Sequence, residues 1–326
     1  MAGQRAGSRD GIRHPHLSSV LLAVICVGRL NAQSLDEPAN TALPVLEPAA
    51  RQVAKLNVPI HPTVAASPDG RFFAALQTRP DPILWIVPTD GGEPFAFRKR
   101  WAIYRPRWAP SGNRIGFIAA IGPPRIWTVE VDPESGRPID PPRMLIRTNA
   151  NAFAFSPDGE RVALVSSRST AAGASEIHIV DWESRRYRVL PRESGMVYWL
   201  DWSPDGKSIY YGVTPSESTE DTAHRVVRAD VVSGATETVL RVGEFLGLSA
   251  DGTQLLYRPA EPDPAGTEVL ELATAGGEPL MRLVIPAGPT PRWGADPTSL
   301  LQIRAEGAGS AVLQILLCRE HDPEAR

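Results

Sequence analysis

One tetrapeptide recurs down this chain at nearly one period, and it limits the possible folds more than any other feature. Ser67-Pro68-Asp69-Gly70, Ala109-Pro110-Ser111-Gly112, Ser156-Pro157-Asp158-Gly159, Ser203-Pro204-Asp205-Gly206, Ser249-Ala250-Asp251-Gly252 and Gly294-Ala295-Asp296-Pro297 are its copies. From Gly70 to Gly112, Gly159, Gly206, Gly252 and Pro297 the steps are 42, 47, 47, 46 and 45 residues, inside the range of propeller blades. Proline pre-sets φ for a type I turn, Asp bonds the backbone ahead of it, and Gly takes the left-handed conformation that closes a hairpin. Asp69, Gly70, Asp158, Gly159, Asp205, Gly206, Asp251 and Gly252 are therefore structural turn residues, and their repetition at one turn position argues against a catalytic or metal-binding role.

Each turn is preceded by a residue of one type, Ala66, Trp108, Phe155, Trp202, Leu248 or Trp293, and followed by a short β-rich run such as Val162 to Val165. A second hairpin follows, with turns such as Asp90-Gly91-Gly92-Glu93-Pro94 and Ala275-Gly276-Gly277-Glu278-Pro279. In the third repeat the four strands read as 152–155, 161–166, 176–181 and 186–190. Four antiparallel strands in about 45 residues make one propeller blade, so the chain reads as all-β, a six-bladed propeller. The sixth repeat supplies only three strands. The segment 51–56 stands where later repeats have the fourth strand of the preceding blade, so it is expected to complete the last blade and close the ring.

Residues 1–32 read as a signal peptide: Arg5, Arg9 and Arg13 precede the apolar run Leu17 to Val27, with cleavage near Ala32. Residues 33–50 read as a flexible lead-in, 51–318 as the propeller and 319–326 as a polar tail. The apolar run is too short to span a bilayer, so no stable membrane span is expected after cleavage. Residues 1–32 carry four Arg and one Asp, so their removal takes the formal charge from −3 to −6, and nucleic acid is not an expected partner. Cys318 would be the one remaining cysteine; within an apolar run it reads as a structural thiol.

The repeats and the Gly-Gly-Glu-Pro turns make the chain resemble the TolB-like family of WD-repeat-like six-bladed propellers, over roughly residues 51–318. The resemblance implies a periplasmic or secreted, bacterial propeller that binds proteins or peptides. TolB itself carries an α/β domain before its propeller, which the short lead-in does not match, and the chain reads as a stand-alone member. The family also includes propellers that gate peptidases, but no Gly-x-Ser-x-Gly nucleophile elbow occurs here.

His61, His178, His224 and His321 show no ligand spacing, so neither metal nor cofactor is expected. Of the tryptophans, Trp108, Trp202 and Trp293 share one repeat position and read as inter-blade core, whereas Trp101, Trp182 and Trp199 are irregular and candidates for partial exposure. The binding face is placed opposite the tetrapeptide turns, on loops carried by the rigid blades: His61, Tyr104, Arg105, Asn151, Tyr198, Glu244 and Arg292 at the channel mouth, with the insertions 169–175 and 216–222. The expected function is that of a monomeric, non-enzymatic, exported binder of an envelope protein or peptide. The alternatives are a hydrolase or lyase acting on a glycan or lactone in the channel, and a propeller subunit of a separately encoded peptidase.

Overall fold

The computed structural model describes residues 43–318, apart from 59, 78–80, 99–100, 121, 167–174, 192, 216–223, 287 and 307–309. The expected signal peptide, most of the lead-in, the polar tail, His321 and nearly all of the two insertions lie outside the described residues.

In chain order, two leading strands, β1 (Val45–Leu46) and β2 (Ala49–Leu56), precede six repeats. The first comprises β3 (Ile60–Ala66), β4 (Phe72–Gln77), β5 (Ile83–Pro88) and β6 (Phe95–Arg98). The second comprises β7 (Ala102–Trp108), β8 (Arg114–Ala120), β9 (Pro124–Glu130) and β10 (Arg143–Ile146). The third holds β11 (Ala150–Phe155), β12 (Arg161–Ser166), β13 (Glu176–Asp181) and β14 (Tyr187–Val189), and the fourth β15 (Met196–Trp202), β16 (Ser208–Thr214), β17 (His224–Asp230) and β18 (Thr236–Val242). The fifth holds β19 (Glu244–Leu248), β20 (Gln254–Arg258), β21 (Val269–Thr274) and β22 (Pro279–Val284), and the sixth β23 (Arg292–Trp293), β24 (Ser299–Glu306) and β25 (Ser310–Leu317). Each repeat is one antiparallel sheet, so the chain is an all-β six-bladed propeller. Among the described residues no helix is long and apolar enough to cross a membrane.

Alternate residues of a strand point to opposite faces, and both faces of every blade meet a neighbour. That is why β4 is buried at all six positions. The apolar core accordingly divides into six clusters, one between each pair of consecutive blades. The cluster joining the sixth blade to the first holds Leu301, Ile303 and Leu313 against Val64, Phe73 and Val87. The ring is closed by β2, which pairs antiparallel with β25 from Ala49↔Leu317 to Leu56↔Ala311 and so supplies the fourth strand of the last blade.

The lead-in differs from the expected flexible segment at its C-terminal end. Val45 and Leu46 run parallel to Arg282 and Leu283 as a fifth strand on the fifth blade, with Leu46 against an apolar cluster, and β2 starts two residues before Arg51. The edge of β22 offers unpaired backbone groups that an extended segment can satisfy whatever its side chains, so composition gave no sign of this pairing.

The tetrapeptides close the hairpins as their chemistry predicts. Ser156 Oγ accepts a hydrogen bond from Arg161 N at 2.9 Å and donates to Asp158, whose Oδ1 accepts from Glu160 N at 3.0 Å; Gly159 has φ 73°. The serine and aspartate at 67/69, 203/205 and 249/251 repeat these bonds. Burial by itself raises the carboxyls of Asp69, Asp158 and Asp251, but bonds from the serine hydroxyl and the backbone outweigh it and leave each below the ordinary aspartate value. Asp205 is lowered chiefly by the Ser203 hydroxyl. A carboxyl whose folded pKa lies below its unfolded one contributes stability above the unfolded value and loses it as pH falls through the folded value. The melting temperature should therefore fall on acidification below about pH 4, and fall less steeply in an Asp158→Asn, Asp205→Asn, Asp251→Asn triple variant. Parallel profiles for the two proteins would refute this.

Candidate functional site

The innermost strands carry the channel, and a shared irregularity shapes its mouth. The register shifts by a bulge in β3 between His61 and Val64, in β7 between Tyr104 and Arg107, in β11 between Ala150 and Ala152, in β15 between Val197 and Trp199, and in β19 between Phe245 and Gly247. A bulge leaves one residue unpaired and re-aims its side chain. Arg105 lies in such a bulge with φ 49°, in the left-handed region, a conformation that costs a non-glycine residue about 1–3 kcal/mol.

The bulges open onto a cavity of about 1230 Å³. His61, Tyr104, Arg105, Asn151 and Arg292, from four blades, line it together. Because each inner strand runs from the mouth to a tetrapeptide turn, the lining descends past Arg107 and Asp201 to Pro68, Pro110, Ala250 and Ala295 of the turns themselves. The remaining two residues expected at the mouth do not line the cavity, though both lie within electrostatic reach of Arg292. The Tyr198 hydroxyl accepts a hydrogen bond from Phe245 N at 2.6 Å and so ties the fourth blade to the fifth; burial pushes its pKa up to about 12. Glu244 pairs with Arg258 at 3.6 Å.

The centre of the cavity is built around Trp199. The guanidinium carbons of Arg107, Arg292 and Arg105 lie 3.9, 4.7 and 5.9 Å from its ring centroid. Asp201 organises the cluster: it forms an ion pair with Arg107 at 3.0 Å, and its Oδ2 accepts from Trp199 Nε1 at 2.9 Å and from Leu248 N at 3.1 Å. Arg292 donates to Leu246 O at 3.3 Å. Counting three arginines against one aspartate, the lining carries two positive charges in excess, within a chain of formal charge −3. A recessed, cationic cleft in an anionic protein focuses its field on anionic ligands. Arg105 is lowered to about 10 by burial and by the charges of Arg107 and Arg292. His61 is held below the ordinary histidine value by burial and then by Arg105, while its Nδ1 pairs with Thr63 Oγ1 at 2.8 Å.

Arg107, Trp199 and Asp201 were missed in the sequence reading of the binding face, yet the repeat register contains two of them. The residue before the last of each inner strand is Ala65, Arg107, Ala154, Asp201, Gly247 and Arg292 in turn, so small and charged residues alternate around the ring. The tryptophans explain the alternation. The indoles of Trp108, Trp202 and Trp293 donate to the carbonyls of Ala65, Ala154 and Gly247 in the preceding blades at 3.2, 3.2 and 3.0 Å. Only a small residue leaves room for that ring: a Cβ on Gly247 would lie 3.3 Å from Trp293 Cδ1 and 3.1 Å from Asp201 Oδ2, and Gly247 has φ 143°. The charged residues therefore fall in alternate blades. Of the other irregular tryptophans, Trp101 packs on Trp127 at 5.0 Å and Trp182 donates to Gly159 O at 2.8 Å, so both serve the blades.

Among the described residues no three His, Cys, Asp or Glu side chains are grouped to hold a metal ion. His178 lies 3.3 Å from Glu176 and His224 lies beside Tyr198, away from the cavity lining. The thiol of Cys318 is pushed up to about 12 by burial, which keeps it protonated and unreactive at neutral pH.

No family model matches the chain, and none of the curated proteins matches it. Solved structures do. TolB from Acinetobacter baumannii aligns with TM-score 0.54 at 20% identity over 78% of this chain, which spans 63% of that protein's length. A protein assigned as TolB from Agrobacterium tumefaciens aligns with TM-score 0.54 at 16% identity, covering 83% of this chain and 94% of that one. The β-propeller domain of Cps50 (Swd1) from Myceliophteria thermophila aligns with TM-score 0.50 at 15% identity, over 77% and 81% of the two chains. At these identities the likeness is one of fold, and in fold the chain is a TolB-like six-bladed β-propeller.

Proposed function

We infer that this propeller is a non-enzymatic binding module, exported by its N-terminal leader, which takes a protein or peptide segment of the cell envelope into the mouth of its channel. The observation behind this reading is the convergence of His61, Tyr104, Arg105, Asn151 and Arg292 on one cavity of about 1230 Å³, with Arg105 and Asn151 turned off the strand ladder by bulges. A cavity of this size admits several side chains of an extended segment and exceeds the usual small-molecule site of about 300–1,000 Å³. The tyrosine at the rim is 46% exposed, the kind of rigid aromatic that anchors protein interfaces.

The test is affinity capture with residues 33–326 against envelope extract, read by mass spectrometry beside a Tyr104→Ala, Asn151→Ala variant. Both side chains lie at the rim and outside the apolar clusters, so the variant should fold. A partner retained by the wild type and lost by the variant is the expected result. Retention of the same partner by both would sink the channel-mouth reading.

A further inference from the structure

We propose that the channel is an anion site whose recognised group is a carboxylate, an acidic side chain or the chain-terminal carboxylate of a peptide, bound by the guanidinium of Arg105 with Arg292 beside it. This rests on the channel-mouth reading above and names the chemistry of what enters.

Three features lead to it. Of the three arginines around Trp199, Arg107 has its counter-ion in Asp201. Arg292 donates to the Leu246 carbonyl, lies over the indole at 4.7 Å and is attracted by Glu244 and then Asp201, whereas among the described residues Arg105 has neither ion pair nor hydrogen bond, only the contact with the indole at 5.9 Å. With Asp201 on Arg107 and Glu244 within electrostatic reach of Arg292, Arg105 is left as the guanidinium of the cluster with no carboxylate of its own, and a ligand carboxylate supplies one. Second, Arg105 is held there at φ 49° by the bulge before Pro106. A strained backbone at a residue whose side chain makes only one cation–π contact, at 5.9 Å, is offset by little within the fold, and such positions cluster at ligand clamps. Third, a guanidinium fork matches a carboxylate in two parallel hydrogen bonds. The ring of Trp199 has Arg107 3.9 Å from its centroid, so it stiffens the arginine cluster and is already engaged, which favours a peptide carboxylate over a sugar stacked on this indole.

The probe is fluorescein-labelled hexaglutamate, with labelled hexaglutamine as its neutral control, read by fluorescence anisotropy at about 50 mM salt, where screening is weak. The wild type should bind hexaglutamate despite its own negative charge and leave hexaglutamine free. Arg105→Gln should bind it about tenfold to a hundredfold more weakly, as loss of a charge-assisted hydrogen bond implies, and Arg105→Lys should recover part of the affinity. Arg105→Gly, which relieves both the strain and the crowding of like charges, should melt at or above the wild-type temperature while losing the probe, a combination that a structural role for Arg105 does not produce. Glutarate should displace the probe more effectively than inorganic phosphate at equal concentration; the reverse order would overturn the carboxylate in favour of phosphate. Equal affinity for Arg105→Gln overturns the carboxylate assignment whatever the capture experiment returns. The channel reading falls separately, on retention of the captured partner by the rim variant.

Discussion

A chain beginning at Asn57, without β2, should show no cooperative unfolding transition at room temperature or above. The strand pairs with β25 at seven register positions, and Leu56 is 5% exposed in the cluster between the last blade and the first. Each ladder hydrogen bond nets about 1 kcal/mol, and burial of a leucine about 2 kcal/mol. Their sum reaches the scale of the whole stability of a domain, about 5–15 kcal/mol. The loss also bares the edge of β25 to other chains. A chain beginning at Ala49 is the control. Of the described contacts it lacks the two-residue bridge of β1, the packing of half-buried Leu46 and the bond from Arg282 N to Pro44 O, and its melting temperature should fall by no more than a few degrees, the effect of about 1 kcal/mol. Equal melting of the two truncated chains, by circular dichroism, would refute closure of the ring by β2.

The second large effect is at Asp201. Replacement by Leu removes the counter-ion of Arg107 and the acceptor for both Trp199 Nε1 and Leu248 N, leaving three arginines facing one another. The two side chains of the ion pair are 22% and 15% exposed, so solvent screens them little. Breaking such a pair from one side costs about 3–5 kcal/mol, because the remaining charge stays desolvated. At about 2–4 °C per kcal/mol for a chain of this size, the melting temperature should drop by about 6–20 °C. Asp201→Asn, which keeps an acceptor oxygen but not the charge, should fall between wild type and Asp201→Leu. Adding Arg107→Met to Asp201→Leu should recover stability, since it removes the stranded cation. A melting temperature for Asp201→Leu within 2 °C of wild type, roughly 1 kcal/mol or less, would show that the ion pair contributes nothing and that water screens the channel completely.

Both effects bear on function through one geometry. The ring fixes the inner strands, the inner strands fix the bulges, and Asp201 fixes the arginine cluster below them. A ligand at Arg105 thus meets a site organised before binding, which limits the ordering cost of association.

The blades were legible because their determinants are local. Ser156, Asp158 and Gly159 make their turn with partners no more than five residues away, so six copies in register disclose six hairpins, and a repeat of three strands discloses the missing fourth. The core assignment of Trp108, Trp202 and Trp293 was local in the same sense, since one repeat position implies one environment. The lead-in was read less well. Val45 and Leu46 show no strand pattern, because their pairing is owed to the open edge of β22 more than 230 residues away.

The channel divides in the same way. His61, Tyr104, Arg105 and Asn151 stand near the outer ends of their strands and line the cavity there, whereas Arg292 lines it at the level of Arg107 and Asp201. Tyr198 and Glu244 occupy the same stations in sequence, but a bulge and a neighbouring backbone N–H turn the first toward the fifth blade, and Arg258 engages the second. The sequence by itself determined the number of blades, their turns and the closing strand, since all follow from local turn chemistry and a fixed period. Only the tertiary structure decided which charges meet. Arg107, Asp201 and Arg292 come from three blades and lie 94 and 91 positions apart in the chain, and Coulomb energy depends on distance in space, which only the closed ring sets.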